Sequence, residues 1–227
     1  MPLISSGIKC YSELLTKWVK IMSNTEIQYN PAIAKRFRGY YPVVVDVETG
    51  GLNPSTDALL EIAVVTLNCD ENGKFFLAET MQHHLEPFSG GILNPESLAI
   101  NKIDPYHPFR FPLQEEAALH ETFTFLQKVQ KKAGCNRCVL VGHNAWFDLA
   151  FLNAAVLRTK AKRNPFHAFT CFDTATLAGA AYGQTVLAEA LRCAGIPFDN
   201  NSHHSAIYDA EQTAKLFCKM VNNAGWP

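Results

Sequence analysis

The sequence predicts an α/β fold built on a mixed central sheet of about five strands flanked by helices. Three observations carry this. A β-branched run, Val43-Val44-Val45, opens a group of three strand-like segments separated by turn residues. Two further apolar strands follow among helical patterns, and the C-terminal stretch carries helical spacing alone. Strands first, then helices alternating with strands, is the order of a mixed sheet whose first three strands are antiparallel.

The first strand covers residues 42–47. After the turn-rich Gly50-Gly51-Leu52-Asn53-Pro54, residues 58–67 form a second strand and 78–85 a third, with Cys69-Asp70-Glu71-Asn72-Gly73 turning between them. Links this short make the pairing antiparallel. Residues 115–132 place Leu119, Phe123, Leu126 and Val129 at helical spacing and stop before Gly134. Residues 138–141 are a fourth strand, 146–158 a helix and 169–174 a fifth strand. Helices follow at 184–194 and 205–221, the last with Ala206, Ala210, Thr213, Ala214, Phe217 and Val221 on one face. Residues 1–34 lack a strong pattern and read as an N-terminal extension to a domain spanning 35–227. Residues 14–22 within it suit an amphipathic surface helix. Met22, heading the polar run Ser23-Asn24-Thr25, reads as an alternative translation start that would leave residues 1–21 outside the protein.

A chain of 227 residues, 48% hydrophobic, can bury one substantial core, so one fold and one site are expected. A net charge of −1 and a pI near 6.7 exclude a globally basic nucleic-acid binder, and any attraction to phosphate must come from local clusters. Seven cysteines without framework spacing suit a reducing compartment, and the protein is expected to be cytoplasmic. No stretch approaches the roughly 18 apolar residues of a membrane span, and the first twenty residues lack the compact apolar run of a signal peptide.

The chemistry is suggested by acids. Asp46 and Glu48 stand two positions apart at the end of the first strand, so period-two alternation puts both carboxylates on one face. Such a pair repels itself unless a cation intervenes, and hard divalent cations take oxygen ligands. Asp148 opens the helix after the fourth strand, within Gly142-His143-Asn144-Ala145-Trp146-Phe147-Asp148, and Asp209 lies in the last helix. Strand ends and helix starts are where α/β folds gather ligands, so four carboxylates from three segments can converge. Two metal ions roughly 3.5 to 4 Å apart could then stabilise the attacking water and the departing 3′ oxygen of a phosphodiester. His204, about 140° around a continuous helix from Asp209, belongs at or before the helix start, where a neutral imidazole can act as general base. Taken singly, each residue is an ordinary cap or turn residue. Their combination is more specific: Asp-x-Glu after an apolar strand, Asn-x-x-Phe-Asp, and His-x-x-x-x-Asp late in the chain.

That combination resembles the DEDDh exonucleases, and within them the ribonuclease T family, from about Arg36 to Pro227. Longer stretches carry the likeness, among them Arg36-Phe37-Arg38-Gly39, Thr56-Asp57-Ala58-Leu59-Leu60-Glu61-Ile62-Ala63, Arg163-Asn164-Pro165-Phe166-His167, Phe172-Asp173-Thr174-Ala175 and Gly183-Gln184-Thr185-Val186-Leu187. The resemblance implies a ribonuclease H-like exonuclease fold and a homodimeric 3′–5′ exonuclease. Such an enzyme trims the 3′ ends of tRNA, rRNA precursors and other stable RNAs, and can also degrade single-stranded DNA. It implies two Mg²⁺ ions per subunit, with Asp46, Glu48, Asp148 and Asp209 as ligands and His204 as base. It further implies that Phe147 and Phe169 stack terminal bases, a contact worth about 1 to 3 kcal/mol per base, and that Glu96 touches the terminal nucleotide. At Leu52 and Ile100 this chain has aliphatic residues where the family has aromatics, so the surface that wedges the bases is altered. Basic residues at Lys35-Arg36-Arg38, Lys131-Lys132-Arg137 and Lys160-Lys162-Arg163 can hold phosphates. In the family, a basic patch of one subunit feeds RNA to the site of the other.

Other readings compete. Cys135-x-x-Cys138 suggests zinc or redox chemistry, but a single pair with no second pair is a weak signal, and Cys138 in an apolar strand is more simply a buried hydrophobe. A non-catalytic nucleic-acid module has no need of four converging carboxylates. The enzymatic alternative is a single-strand DNA 3′–5′ exonuclease serving repair or proofreading.

Overall fold

The computed structural model describes residues 27–199 and 205–224. The expectations for residues 1–21 and for His204 therefore lie outside the described residues. The chain forms β1 (Tyr40–Thr49), β2 (Leu59–Cys69), β3 (Phe75–His84), α1 (Pro95–Asn101), α2 (Glu115–Lys132), β4 (Arg137–Gly142), α3 (Trp146–Thr159), β5 (Phe166–Asp173), α4 (Thr174–Tyr182), α5 (Leu187–Cys193) and α6 (Ala206–Asn223). Two short 3₁₀ turns, Pro31–Lys35 and Phe37–Gly39, precede β1. The sheet order is β3-β2-β1-β4-β5. The first three strands pair antiparallel, and β1, β4 and β5 run parallel. The mixed sheet expected from the order of patterns is thus found.

The β2–β3 hairpin turns on Asp70, whose Oδ1 accepts the N–H groups of Asn72 and Lys74 at 2.9 and 2.8 Å. β2 is buried at every position, which requires cover on both faces. α6 lies across β1, β2 and β3, while α2 and α3 pack on each other and on the sheet. The main core joins Val43, Val45, Ile62, Val64, Leu119, Leu126, Leu140, Phe151, Leu152 and Phe217. A smaller cluster, Ala178, Leu191, Leu216 and Met220, seats α4 and α5 against α6.

The domain expected from the sequence spans residues 35–227, and described residues before 35 also pack on the sheet. Tyr29 and Ile33 are buried in the main core, and the N–H of Asn30 donates to Asn68 Oδ1 at 2.9 Å. Two helices escaped the sequence pattern for local reasons. α1 has only seven residues, and its start is marked by Asn94, which caps the N–H of Glu96, with Pro95 at the first helical position. α4, rich in alanine, offers little polar contrast between its faces, and Asp173 caps it.

Candidate active site

The site lies where the carboxyl ends of the parallel strands meet, the place where open α/β sheets gather ligands. On β1, Asp46 and Glu48 alternate with buried Val47, so the pleat turns both carboxylates to one face. Asp209, in the first turn of α6, joins them: one carboxylate oxygen from each of the three residues lies within 4.8 Å of the others. Asp148 enters from the first turn of α3, and its Oδ1 accepts the N–H of Val47 at 3.1 Å. Gly142 packs closely behind it: a Cβ there would lie 3.0 Å from Asp148 Oδ2 and 3.1 Å from the Ala145 Cα, so a larger residue would press on the carboxylate.

Burial and mutual repulsion shape the electrostatics. Burial, then the charges of Asp148, Glu48 and Asp209, holds the Asp46 carboxyl well above the usual carboxylate range. Burial, with Glu61 and Asp209 adding, pushes Glu48 up to about 8, and a hydrogen bond from Asn101 offsets part of this. Burial also lifts Asp148 to about 8, against the Val47 N–H that favours its charged form. A set of all-oxygen donors that resist ionising beside one another suits a hard divalent cation, and the residues present fit such a metal. Asp46, Glu48 and Asp209, with Asp148 beside them, are the groups that would hold it.

A pH dependence follows. Unfolded, these carboxyls ionise near pH 4, so between about pH 4 and 8 the metal-free fold keeps protons that the unfolded chain has released. Metal-free stability therefore falls as pH rises through that window. A divalent cation replaces the protons, so the rise in melting temperature given by Mg²⁺ is expected to be larger at about pH 9 than at about pH 6. Thermal melts in Mg²⁺ and in EDTA at both pH values check this, and an equal rise at both would contradict it.

Asp46 and Asp148 open onto a cleft of about 460 Å³ whose walls include Leu52, His143, Asn144, Trp146 and Phe147. Phe147 is half-buried, its ring tilted against that of Phe151 at 4.9 Å and edge-on to Trp146 at 5.9 Å. Leu52 is exposed at the tip of the loop after β1, where Gly51 packs so closely on Asp57 that a Cβ would lie 2.0 Å from its carboxylate. Glu96 and Ile100 are exposed on α1, and Phe169 is exposed on β5, edge-on to His167.

The basic residues lie elsewhere. Arg38 precedes β1, and Arg137 pairs with Tyr40 at the opposite end of that strand from the acids. Asp46 lies six residue steps along the strand from Tyr40, roughly 20 Å. Lys162 and Arg163 precede β5 at the same end, exposed, whereas Arg36 is partly buried against the rings of Phe37 and Phe75 at 5.5 and 5.4 Å. One chain does not bring Arg36, Arg38, Arg137, Lys162 or Arg163 to its own cleft.

Several neighbours of the acids were not singled out from sequence. Asn101, buried at the end of α1, donates to the Thr49 carbonyl at 3.0 Å and hydrogen-bonds Glu48, tying α1 to the acidic strand. The Asp173 Oδ1 accepts the N–H groups of Asn144 and Ala145 at 2.8 and 3.3 Å, bracing the turn that leads into Asp148. His143 has Nε2 2.8 Å from the Thr185 carbonyl, which can only accept, so Nε2 carries the proton; Nδ1 lies 2.9 Å from the Thr174 hydroxyl. Burial keeps this imidazole neutral, and both nitrogens are engaged, so it braces the cleft rather than moving protons. Glu61 pairs with Glu48 across β1 and β2 and is held by His84 at 2.8 Å and Gln82 at 3.1 Å. Trp146 adjoins Phe147 in the sequence; its exposure on the cleft wall follows from where α3 starts.

Cys135 and Cys138 pack as small buried side chains. Their thiols reach the Ala133 carbonyl and Gln130 Oε1. Burial pushes Cys135 up to about 11 and Cys138 higher still, away from the thiolate form.

Comparison with known proteins agrees with this geometry. An exonuclease family model of the ribonuclease T type matches residues 43–217. The chain is 56% identical over 200 residues to Ribonuclease T of Vibrio campbellii, covering 86% of this chain and 94% of that one. It is 55% identical over 199 residues to Ribonuclease T of Cronobacter sakazakii, covering 86% and 89%. Among solved structures, the nuclease domain of 3′hExo, a DEDDh family member bound to rAMP, aligns with a TM-score of 0.64 at 20% identity, over 81% of this chain and 92% of that one. E. coli Exonuclease I in complex with a dT13 oligonucleotide aligns with a TM-score of 0.61 at 17% identity, over 81% and 41%. These two share the fold. With the fold, the acids at the strand ends and identity above one half along most of its length, the chain belongs to the ribonuclease T family of exonucleases.

Proposed function

We propose that this protein is a Mg²⁺-dependent 3′–5′ exoribonuclease that trims single-stranded 3′ ends of tRNA and other stable RNAs, releasing nucleoside 5′-monophosphates. The observation that carries the proposal is the convergence of carboxylates from β1, α3 and α6 beside an aromatic-walled cleft, in a chain 56% identical to a Ribonuclease T. Asp46, Glu48, Asp148 and Asp209 would hold two Mg²⁺ ions, which when bound would supply charge stabilisation at the scissile phosphodiester. His204, outside the described residues, takes the proton of the attacking water. Phe147 and Phe169 stack the terminal bases, Leu52 and Ile100 make apolar contacts to them, and Glu96 orients the terminal nucleotide.

Arg36, Arg38, Arg137, Lys162 and Arg163 bind RNA phosphates for the site of a partner subunit. Their place roughly 20 Å of strand from the acids supports a homodimer in which each chain serves the other. The enzyme acts in the cytoplasm, a reading supported by seven cysteines without framework spacing, which suit a reducing compartment. Among the described residues no helix is long and apolar enough to cross a membrane.

The test is release of mononucleotides from a labelled tRNA with a single-stranded 3′ tail, with Mg²⁺ or EDTA, beside a matched single-stranded DNA. Release from RNA that requires Mg²⁺ is expected. Faster release from DNA than from RNA would replace this reading with the repair or proofreading exonuclease. No release from either would refute exonuclease activity.

A further inference from the structure

Three of the exposed aromatic side chains lie within six residues of one another, in the segment 104–112 between α1 and α2. Tyr106, Phe109 and Phe111 are 76%, 77% and 78% exposed. Large apolar rings grouped on a surface mark a place of contact. We infer that this segment is an accessory platform for unpaired nucleic-acid bases upstream of the cleavage site, with these three rings as stacking surfaces. The inference rests on the exonuclease reading above.

The segment is held rigidly. Arg110 turns inward and donates to the carbonyls of Leu85 and Leu60 at 3.0 and 2.5 Å, with its guanidinium 3.6 Å from the Glu61 carboxylate. Asp104 Oδ1 accepts the N–H of Tyr106, and Leu113 pairs with Leu85 where the segment ends. Pro105, Pro108 and Pro112 restrict the backbone further. Phe111 is held at φ +47°, a conformation that bulky residues rarely adopt and glycine adopts freely. A ring kept solvent-exposed at such a position contributes nothing to the core, and strain of this kind collects at functional sites.

Its position decides the partner. The segment leaves α1 just after Asn101, which hydrogen-bonds Thr49 and Glu48. Its inward anchor, Arg110, grips Leu60 and Glu61, and Glu61 stands opposite Glu48 on the neighbouring strand, about 5 Å away. Both attachments are therefore to the strand ends that carry the acids. A strand whose 3′ end lies at the acids has to leave across adjoining surface. Beside the rings is a groove of about 440 Å³, lined by Glu86, Tyr106, His107 and Phe111 among prolines, large enough for a nucleobase. Flat aromatic rings stack any base, as a sequence-tolerant trimming enzyme requires.

The test compares the wild type with a triple variant, Tyr106→Ala, Phe109→Ala and Phe111→Gly. All three side chains are exposed, and glycine fits the backbone at 111. Kinetics are read on a dinucleotide and on a long single strand, and binding of the long strand in EDTA is read by fluorescence anisotropy. The expected result is a KM for the long strand raised about tenfold or more, weaker binding to match, and dinucleotide kinetics unchanged. Unchanged long-strand binding in the variant would overturn the inference and leave the rings to a protein partner. Equal losses on both substrates, together with a change in oligomeric state by light scattering, would assign the rings to contact between copies and also overturn it. If the wild type cleaves neither substrate, the proposed function fails, while the anisotropy comparison still decides the platform.

Discussion

Asp46→Asn is expected to lower 3′ nucleotide release by about a thousandfold or more, because it removes one of the charged oxygens that would hold the metal at the reacting phosphate. The fold is expected to survive. Asp46 sits among Asp148, Glu48 and Asp209 with its carboxyl held well above the usual range, so its negative charge opposes folding when no cation is bound. In EDTA at alkaline pH the variant should therefore melt at or above the wild-type temperature, and it should gain less from added Mg²⁺. This pattern, activity lost while metal-free stability is kept or raised, separates a metal ligand from a structural residue. Retention of more than about a tenth of the activity would remove Asp46 from the proposed ligand set.

Arg158→Met is expected to cost about 3 to 5 kcal/mol of stability. Arg158, near the end of α3, forms a two-pronged pair with Glu115 at 2.7 and 3.1 Å, donates to the Pro54 carbonyl at 2.8 Å, and lies 4.2 Å over the Phe88 ring. Glu115 is buried, so the variant leaves a carboxylate without its cation in the interior. The lost bond to Pro54 also frees the loop that carries Leu52, so KM for RNA should rise along with the loss of stability. Urea unfolding of the variant and of Arg158→Met with Glu115→Leu checks the cause. The double variant should recover much of the loss, since replacing both members of a buried pair by apolar groups is often close to neutral. A loss below about 1 kcal/mol for the single variant would show that the pair contributes little.

Much of the architecture was legible from local pattern. The valine run announced β1, the spacing of Leu119, Phe123, Leu126 and Val129 marked α2 at its observed bounds, and the apolar stretch at 138–141 marked β4. Elements whose signals are weak locally were missed: α1 is too short to show a period, α4 has little contrast between its faces, and Tyr29 and Ile33 reveal themselves as core only when packed. The candidate site divides along the same line. Asp46 and Glu48 are two residues apart on a strand, and the pleat alone aligns them, so their shared face could be read directly from the chain.

What the sequence by itself determined was the set of elements, their order, and the presence of acids and aromatics at element ends, because hydrophobic period and residue type are local properties. The motifs already grouped Asp148 and Asp209 with the strand pair; what only the tertiary structure decided was the contacts by which distant groups are brought together. Asp209 lies over a hundred and fifty residues from Glu48, and their approach depends on α6 crossing β1, β2 and β3 in one register. The same holds for the Val47 N–H that grips Asp148, for Asn101 reaching back to Thr49, and for Arg110 pinning an exposed aromatic segment beside the acids. Each of these contacts is made by side chains whose partners are selected by sheet order and helix packing, and no pattern along the chain encodes that selection.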